Sequence, residues 1–404
     1  MKQSSEQVKF VTPELSFIDK LNAFFKASIK SGLPLAIWKA PRQNEVNAVC
    51  QLDKSAAYPE EIESAPEGYY FVPFDEEGES KPRFIKADLT LNSKQNELKI
   101  DPIFNNDQSI DNFTRIFNEA SCLQDFRLSD YLSNESVVEK DKEAFKKLVA
   151  ESIEAISQGH YQKIVPSRTK EIELEPNFNP IDEFFKLCSA YDNAFVSIVF
   201  IPEVGLWMGA TPELLLSVEN MKLFKTEALA GTQGIENNFD LSKAAWRQKE
   251  IEEQALVSRY IVNCFKSIRL REFDEYGPKT VKAGNLIHLK TEFSVDMEKV
   301  SYPLLGTAML DLLHPTSAVC GMPMQAAAKF LKDREGFDRS YFSGYLGPSN
   351  IENKTSLFVN LRCMHILKNK AILYAGAGVT EDSDPESEWY ETEMKFQTLL
   401  NVIQ

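Results

Sequence analysis

Near its end the chain concentrates groups that can hold a hard cation beside an anion: Asp384-Pro385-Glu386-Ser387-Glu388-Trp389-Tyr390-Glu391-Thr392-Glu393-Met394-Lys395. Asp384 is a good helix N-cap, and Pro385 falls at a first helical position, where there is no N–H to lose. Glu388, Glu391 and Lys395 then recur at i, i+3 and i+7, which is one helical face. Two carboxylates beside an ammonium suit a divalent cation next to an anionic substrate. They equally suit a solvated stripe with a Glu391–Lys395 pair, because acidic helix faces are common. Upstream, Lys249-Glu250-Ile251-Glu252-Glu253 repeats the arrangement, with Glu250 and Glu253 three apart. Two helices each presenting Glu-x-x-Glu can oppose carboxylates around one ion. Mg²⁺ fits best, since it takes few carboxylates, several waters and an anionic ligand group.

The elements that must position these groups are predicted from pattern. A helix is expected over Pro13 to Ser31, with Phe17, Leu21, Phe24 and Phe25 on its apolar face. Strands follow at Leu35–Trp38 and Tyr69–Phe74, and the polar stretch from Asn105 to Glu139 reads as a surface connection. From Asp141, the residues Phe145, Leu148, Val149, Ser152, Ile153 and Ile156 trace a helical face that Gly159 stops. Lys163-Ile164-Val165 reads as a strand, and Ile181–Tyr191 as a helix. Four closely spaced β runs (Ala194–Ile201, Gly205–Met208, Glu213–Val218, Met221–Thr226) imply antiparallel meander pairing. A long helix is expected from Asp240 to Ile268, and a strand pair at Leu357–Ile366 and Lys370–Ala375. The expected fold is α+β, with large antiparallel β-sheets flanked by helices.

Composition narrows the partners. Across 404 residues, 43% are hydrophobic and 27 are Phe, enough for a large core. A net charge of −15 argues against nucleic acid or an anionic membrane as the main partner, while leaving room for a small anionic substrate in a local basic pocket. The six cysteines lie far apart with no C-x-x-C, which fits a reducing compartment, and four scattered histidines disfavour a His-rich metal site. There is no signal-type apolar core and no run of about 18 apolar residues. The expectation is a soluble, cytoplasmic, monomeric protein.

Six blocks, in order, resemble the chorismate-utilising enzymes, a family that includes isochorismate synthases, salicylate synthases, anthranilate synthase component I and aminodeoxychorismate synthase. Lys163-Ile164-Val165-Pro166-Ser167-Arg168 is similar to the family's lysine-bearing strand, and Gly209-Ala210-Thr211-Pro212-Glu213-Leu214-Leu215 to its G-x-[ST]-P-E-L block. Leu229-Ala230-Gly231-Thr232 resembles its glycine turn, and Lys249–Glu253 its first metal helix. The run from His314 to Pro323 resembles H-P-T-x-A-[LV]-x-G-x-P, and Ala375-Gly376-Ala377-Gly378 with Glu388, Glu391 and Lys395 completes the set. The match spans roughly residues 140–404. It implies one catalytic domain over 1–404, with 1–140 its variable part and 141–404 its motif-bearing part.

The resemblance implies chorismate as substrate and Mg²⁺ as cofactor. Lys163 would activate water for attack at C2, and Glu213 would protonate the departing C4 hydroxyl. Glu250, Glu253, Glu388 and Glu391 would hold the metal, with Glu253 and Glu391 direct and the other two through water. Lys395 and the Gly376 backbone would meet the ring carboxylate, Arg362 the enolpyruvyl carboxylate, and Gly231 and Thr232 the C4 hydroxyl region. Val319 would join the pocket wall. Ala318 stands where aminating and pyruvate-eliminating members usually carry threonine, and Phe342 where salicylate synthases have tyrosine. Both changes remove a hydroxyl near the enolpyruvyl group, which points to an isochorismate synthase. A salicylate synthase and a non-catalytic chorismate-binding protein are the alternatives. His288 and His314 are expected to be structural. Three departures from the family pattern stand out: Pro166, which marks an edge or bulge, Gln254 in place of His, and Ala228 in place of Pro.

Overall fold

The computed structural model describes residues 15–52, 57–104, 108–119, 126–135, 141–235, 239–283 and 286–403. Among these residues the strands form two large sheets, antiparallel at every pairing, as the α+β expectation required. The first has nine strands, in edge-to-edge order Glu97–Ile100, Leu89–Asn92, Val46–Cys50, Leu35–Lys39, Phe195–Ile201, Gly205–Thr211, Cys363–Ile366, Lys370–Gly376 and Ser167–Glu173. The second has eight, in order Asp274–Ala283, Leu286–Asp296, Leu223–Gly234, Leu214–Glu219, Lys354–Val359, Tyr345–Ser349, Gly68–Val72 and Arg83–Lys86.

Strands buried on both faces dictate the layering. In Phe195–Ile201, Val196, Ile198 and Phe200 face the helix-covered core, while Phe195, Val199 and Ile201 face the second sheet. In Gly68–Val72, Tyr69 and Phe71 face the first sheet, while Tyr70 and Val72 face the helices on the far side. The two-residue alternation of a strand makes this division automatic. The result is helix, sheet, sheet, helix. The sheets are joined by rings such as Phe195 on Phe358, with centroids 4.2 Å apart, and Phe71 edge-on to Trp207 at 6.0 Å. Each fully buried ring of this kind contributes on the order of 2 kcal/mol.

Several boundaries differ from expectation. The first helix is Phe17–Ser31, because the Ser16 side chain caps it, accepting from Asp19 N at 3.2 Å; Pro13 lies outside the described residues. Within the expected connection Asn105–Glu139, Gln108–Glu119 is a helix, with Phe113, Ile116 and Phe117 buried and Phe113 edge-on to Phe24 at 5.6 Å. Those apolar side chains at i, i+3 and i+4 outweigh polar neighbours once a core is available to receive them. Asp240 caps a short 3₁₀ turn, Leu241–Lys243, while the long helix is Gln248–Ser267, begun where Glu250 Oε2 accepts from Arg247 N at 2.9 Å. The run Leu357–Ile366 is two strands, Lys354–Val359 and Cys363–Ile366, in different sheets. The four-strand meander divides likewise: Gly205–Thr211 and Leu214–Glu219 do not pair, because the chain changes sheet at Pro212-Glu213.

These two sheet-changing corners lie side by side. Thr211 Oγ1 donates to Val359 O at 2.6 Å, Val359 N to Glu213 O at 3.0 Å, and Ala210 N to Arg362 O at 3.0 Å. Gly209 permits the approach, since a Cβ there would lie 3.0 Å from Arg362 O. The corners therefore deliver Glu213 and Arg362 to one seam between the sheets.

Candidate active site

Pro166 divides its strand. Lys163–Ile164 pairs with Gly321–Met322 in a small two-stranded sheet, and Ser167–Glu173 becomes the edge of the nine-stranded sheet, in keeping with a proline that donates no ladder hydrogen bond. Arg339 braces this break. It is buried and donates to Val165 O at 2.6 Å and Val319 O at 2.8 Å, while Glu335, its ion-pair partner, accepts from Ser167 N at 2.7 Å. Lys163, paired with Met322 across the small sheet, has its side chain fully buried.

One cavity at the seam is lined by Glu213, Gly231, Thr232, Glu253, Ala318, Val319, Phe342, Arg362, Gly376 and Lys395, all singled out from sequence. Lys163 is not itself among the lining residues and stands behind Glu253, with Nζ 2.7 Å from Oε1. Burial raises the Glu213 carboxyl to about 7, against the opposing pull of Lys163, Arg362 and Lys395. Burial lowers the Arg362 guanidinium to about 10, which leaves it charged at neutral pH. Arg362 sits at the corner with φ 48°, not within a strand as expected. Phe342 is buried and stacks on Tyr374, with centroids 5.3 Å apart.

Two glycines let the first acidic helix, Gln248–Ser267, approach closely. Gly231 has φ 72°, and a Cβ there would stand 3.0 Å from Glu250 Cβ; a Cβ on Gly378 would collide with the Glu253 carboxylate. The last helix, Pro385–Ile403, is capped by Asp384, whose Oδ2 accepts from Ser387 N at 2.8 Å. Arg168, fully buried, holds this helix in place. It donates to Thr392 Oγ1 at 2.8 Å, pairs with Glu393, and lies 3.5 Å from the centroid of the Trp389 ring.

The four glutamates meet different partners. Glu250 caps its own helix, Glu253 pairs with Lys163, Glu388 with Lys249, and Glu391 with Lys395 at 2.7 Å. Among the described residues they do not converge as a ready-made ligand cluster. Their chemistry nevertheless fits a hard cation. Glu253, Glu388 and Glu391 all act on the one Lys249 ammonium. Glu388 is fully buried, and its Oε2 makes no hydrogen bond of ordinary geometry, although the Ser383 hydroxyl lies close enough to favour its charge. Burial and Glu391 push Glu388 up; burial also works to raise Glu253, yet Lys163, Lys249 and Lys395 together hold it below the usual carboxylate range. Lys395 also donates to Gly376 O at 2.7 Å.

His288 lines the same cavity. Its Nδ1 contacts Gly231 O at 3.0 Å and Thr232 Oγ1 at 3.3 Å, its Nε2 is buried without a partner among the described residues, and burial lowers it to about 3, so it is neutral. His314 lies apart, against Pro73 O at 3.0 Å. Gln254 bonds Ala228 O and Thr291 Oγ1, both at 3.1 Å, tying the long helix to the eight-stranded sheet. Sequence reading missed Lys249, Arg168, Arg339 and the cavity position of His288. For Lys249 a signal existed, because it stands at i to Glu253 at i+4.

A buried lysine and a glutamate raised to about 7, serving one cavity at the seam of two antiparallel sheets, define an enzyme. The chain belongs to the family described as chorismate binding enzyme, whose profile matches residues 76–404. It is 27% identical over 301 residues to the isochorismate synthase EntC of Escherichia coli K12, covering 73% of this chain and 76% of that protein. It is 29% identical over 276 residues to the isochorismate synthase DhbC of Bacillus subtilis, covering 65% and 68%. The structure of MenF, the menaquinone-specific isochorismate synthase from Escherichia coli, shares the fold with a TM-score of 0.72 at 20% identity, over 95% of this chain and 91% of that one.

Proposed function

We propose that this protein is an isochorismate synthase that converts chorismate to isochorismate, acting as one catalytic unit in the cytoplasm. The observation that carries the reading is Glu213, a carboxyl raised to about 7 in the cavity that the buried Lys163–Glu253 pair completes. Glu213 in its protonated form donates to the departing C4 hydroxyl, which leaves as water. Lys163 accepts a proton from the water whose oxygen bonds to C2. One water enters and one departs, so the reaction is an isomerisation.

Arg362 holds the enolpyruvyl carboxylate by two parallel hydrogen bonds, and Lys395 faces the ring carboxylate beside Gly376. Gly231 and Thr232 contact the C4 hydroxyl region. Glu253 and Glu391 would hold Mg²⁺ directly, with Glu250 and Glu388 acting through water. When bound, the ion would neutralise the ring carboxylate and raise the electron demand of the diene. Ala318 and Phe342 bring no hydroxyl of their own to the pocket, which disfavours pyruvate elimination. The relatives named isochorismate synthases support the subclass.

Strands from both sides of residue 140 share both sheets, which supports a single unit. No helix among the described residues is long and apolar enough to cross a membrane, and the cysteines among them are free. The test is chorismate turnover with and without Mg²⁺, with products separated by chromatography and pyruvate assayed. Mg²⁺-dependent isochorismate without pyruvate is expected. Salicylate with pyruvate would make it a salicylate synthase, and binding without turnover a chorismate-binding protein.

A further inference from the structure

Lys249 lies in the first turn of Gln248–Ser267 and donates to Glu388 on the last helix. Its ammonium also lies within electrostatic reach of Glu391 and Glu253. The other two lysines are differently committed. Lys163 reaches Glu253 from the small sheet, while Lys395 pairs with Glu391 within its own helix and holds Gly376 O. Of the three, Lys249 is the one whose ion pair joins the two acidic helices.

The pair is asymmetric. The Glu388 side chain is wholly excluded from solvent, whereas that of Lys249 is 22% exposed. Glu388 has nowhere to go, but a lysine at the rim can swing its head into water while its stem stays packed. A divalent ion between the same helices would repel an ammonium held there, most strongly where water is excluded.

We propose that Lys249 is a resident counter-ion for the two acidic helices, one that a divalent cation must displace in order to bind. Without a cation, Lys249 offsets the charge of Glu388 and its neighbours; when one binds, Lys249 moves outward and frees the Glu388 carboxylate. Lys249 thus sets how tightly the ion is held. The inference rests on the reading of these carboxylates as the Mg²⁺ site.

The experiment is calorimetric titration with Mg²⁺ of the wild type and Lys249→Met, alongside thermal unfolding in chelator and in saturating Mg²⁺. Lys249→Met is expected to bind Mg²⁺ about ten-fold more tightly, to unfold at a lower temperature in chelator, and to gain more from added Mg²⁺ than the wild type. Lys249→Arg, which keeps the charge, should bind as the wild type does. Lys249→Gln gives the same comparison if the methionine variant folds poorly. Unchanged or weaker Mg²⁺ affinity in the neutral variants, with normal binding by the wild type, overturns the inference alone and leaves Lys249 an ordinary inter-helix pair. A wild type that binds no Mg²⁺ overturns both the metal reading and the inference.

Discussion

Lys163 and Glu253 form an ion pair with Nζ 2.7 Å from Oε1, the lysine side chain wholly buried and that of the glutamate 14% exposed. It joins the proposed base to a proposed metal ligand, so neither residue can be changed without affecting the other. Lys163→Ala should reduce turnover by about 10³-fold. It should also cost on the order of 3 kcal/mol, because Glu253 is left without its main partner. Adding Glu253→Gln should restore most of that stability and none of the turnover. Single-turnover kinetics and urea unfolding of the single and double variants check both halves; near-native turnover in Lys163→Ala would remove it as the base.

Glu213 links catalysis to pH. Burial raises its folded-state value to about 7, above the 4.5 of an unperturbed glutamate. Between those values the folded protein keeps a proton that the unfolded chain has lost, so this group's contribution to stability declines as pH rises through that window and is level above it. Glu213→Gln should therefore be more stable than wild type at pH 8, by on the order of 3 kcal/mol, with the gap closing toward pH 4. Turnover in the wild type should fall as pH rises past about 7, where the acid form is lost, and should be nearly absent in the glutamine variant. A stability difference independent of pH would rule out this titration.

Gly378→Ala tests the Lys163–Glu253 geometry without removing either group. Its Cβ would strike Glu253 Oε1 and lie 3.1 Å from Lys163 Cε, while its φ is not in the positive range. The carboxylate can yield, so the stability cost should be only about 1 kcal/mol. The displacement should cut turnover by about 100-fold. Wild-type kinetics in this variant would mean that the placement of the pair does not matter to the reaction.

Phe342→Tyr combined with Ala318→Thr adds a hydroxyl at two lining positions that carry none. Both positions line the cavity that also holds Arg362. The wild type should release no pyruvate, and the double variant should release it at a rate measurable in a lactate dehydrogenase-coupled assay. Absence of pyruvate from the double variant would show that the two positions do not set the outcome.

Local features were legible in the chain. The Asp384 cap and the Glu388–Glu391–Lys395 face could be read directly because helical periodicity depends on neighbours three and four residues away. The same holds for the helix that follows Asp141, whose carboxylate caps it by accepting from Ala144 N at 2.8 Å. Pro166 also declared itself, since a missing N–H has the same consequence in any sheet. Lys163 and Glu213 needed the resemblance, because a lysine in an apolar strand and a glutamate at a strand start are ordinary.

The sheet changes could not be read. Leu357–Ile366 looks like one strand because apolar residues continue through it, and its break comes from the corner at Asn360-Leu361-Arg362, where the neighbouring Thr211–Glu213 corner packs against it. The helix Gln108–Glu119 was hidden for a related reason: its polar composition outweighs its four buried side chains, Ile110, Phe113, Ile116 and Phe117, until Phe24 and the core are present to receive them.

The sequence by itself determined which helical faces carry carboxylates and that the last helix caps at Asp384, because those follow from neighbours within one or two helical turns. Only the tertiary structure decided which ammonium meets which carboxylate. Lys163 finds Glu253 across 90 residues and Lys249 finds Glu388 across 139. Those pairings are set by strand register and by the packing of two helices near one seam, and no local pattern encodes them.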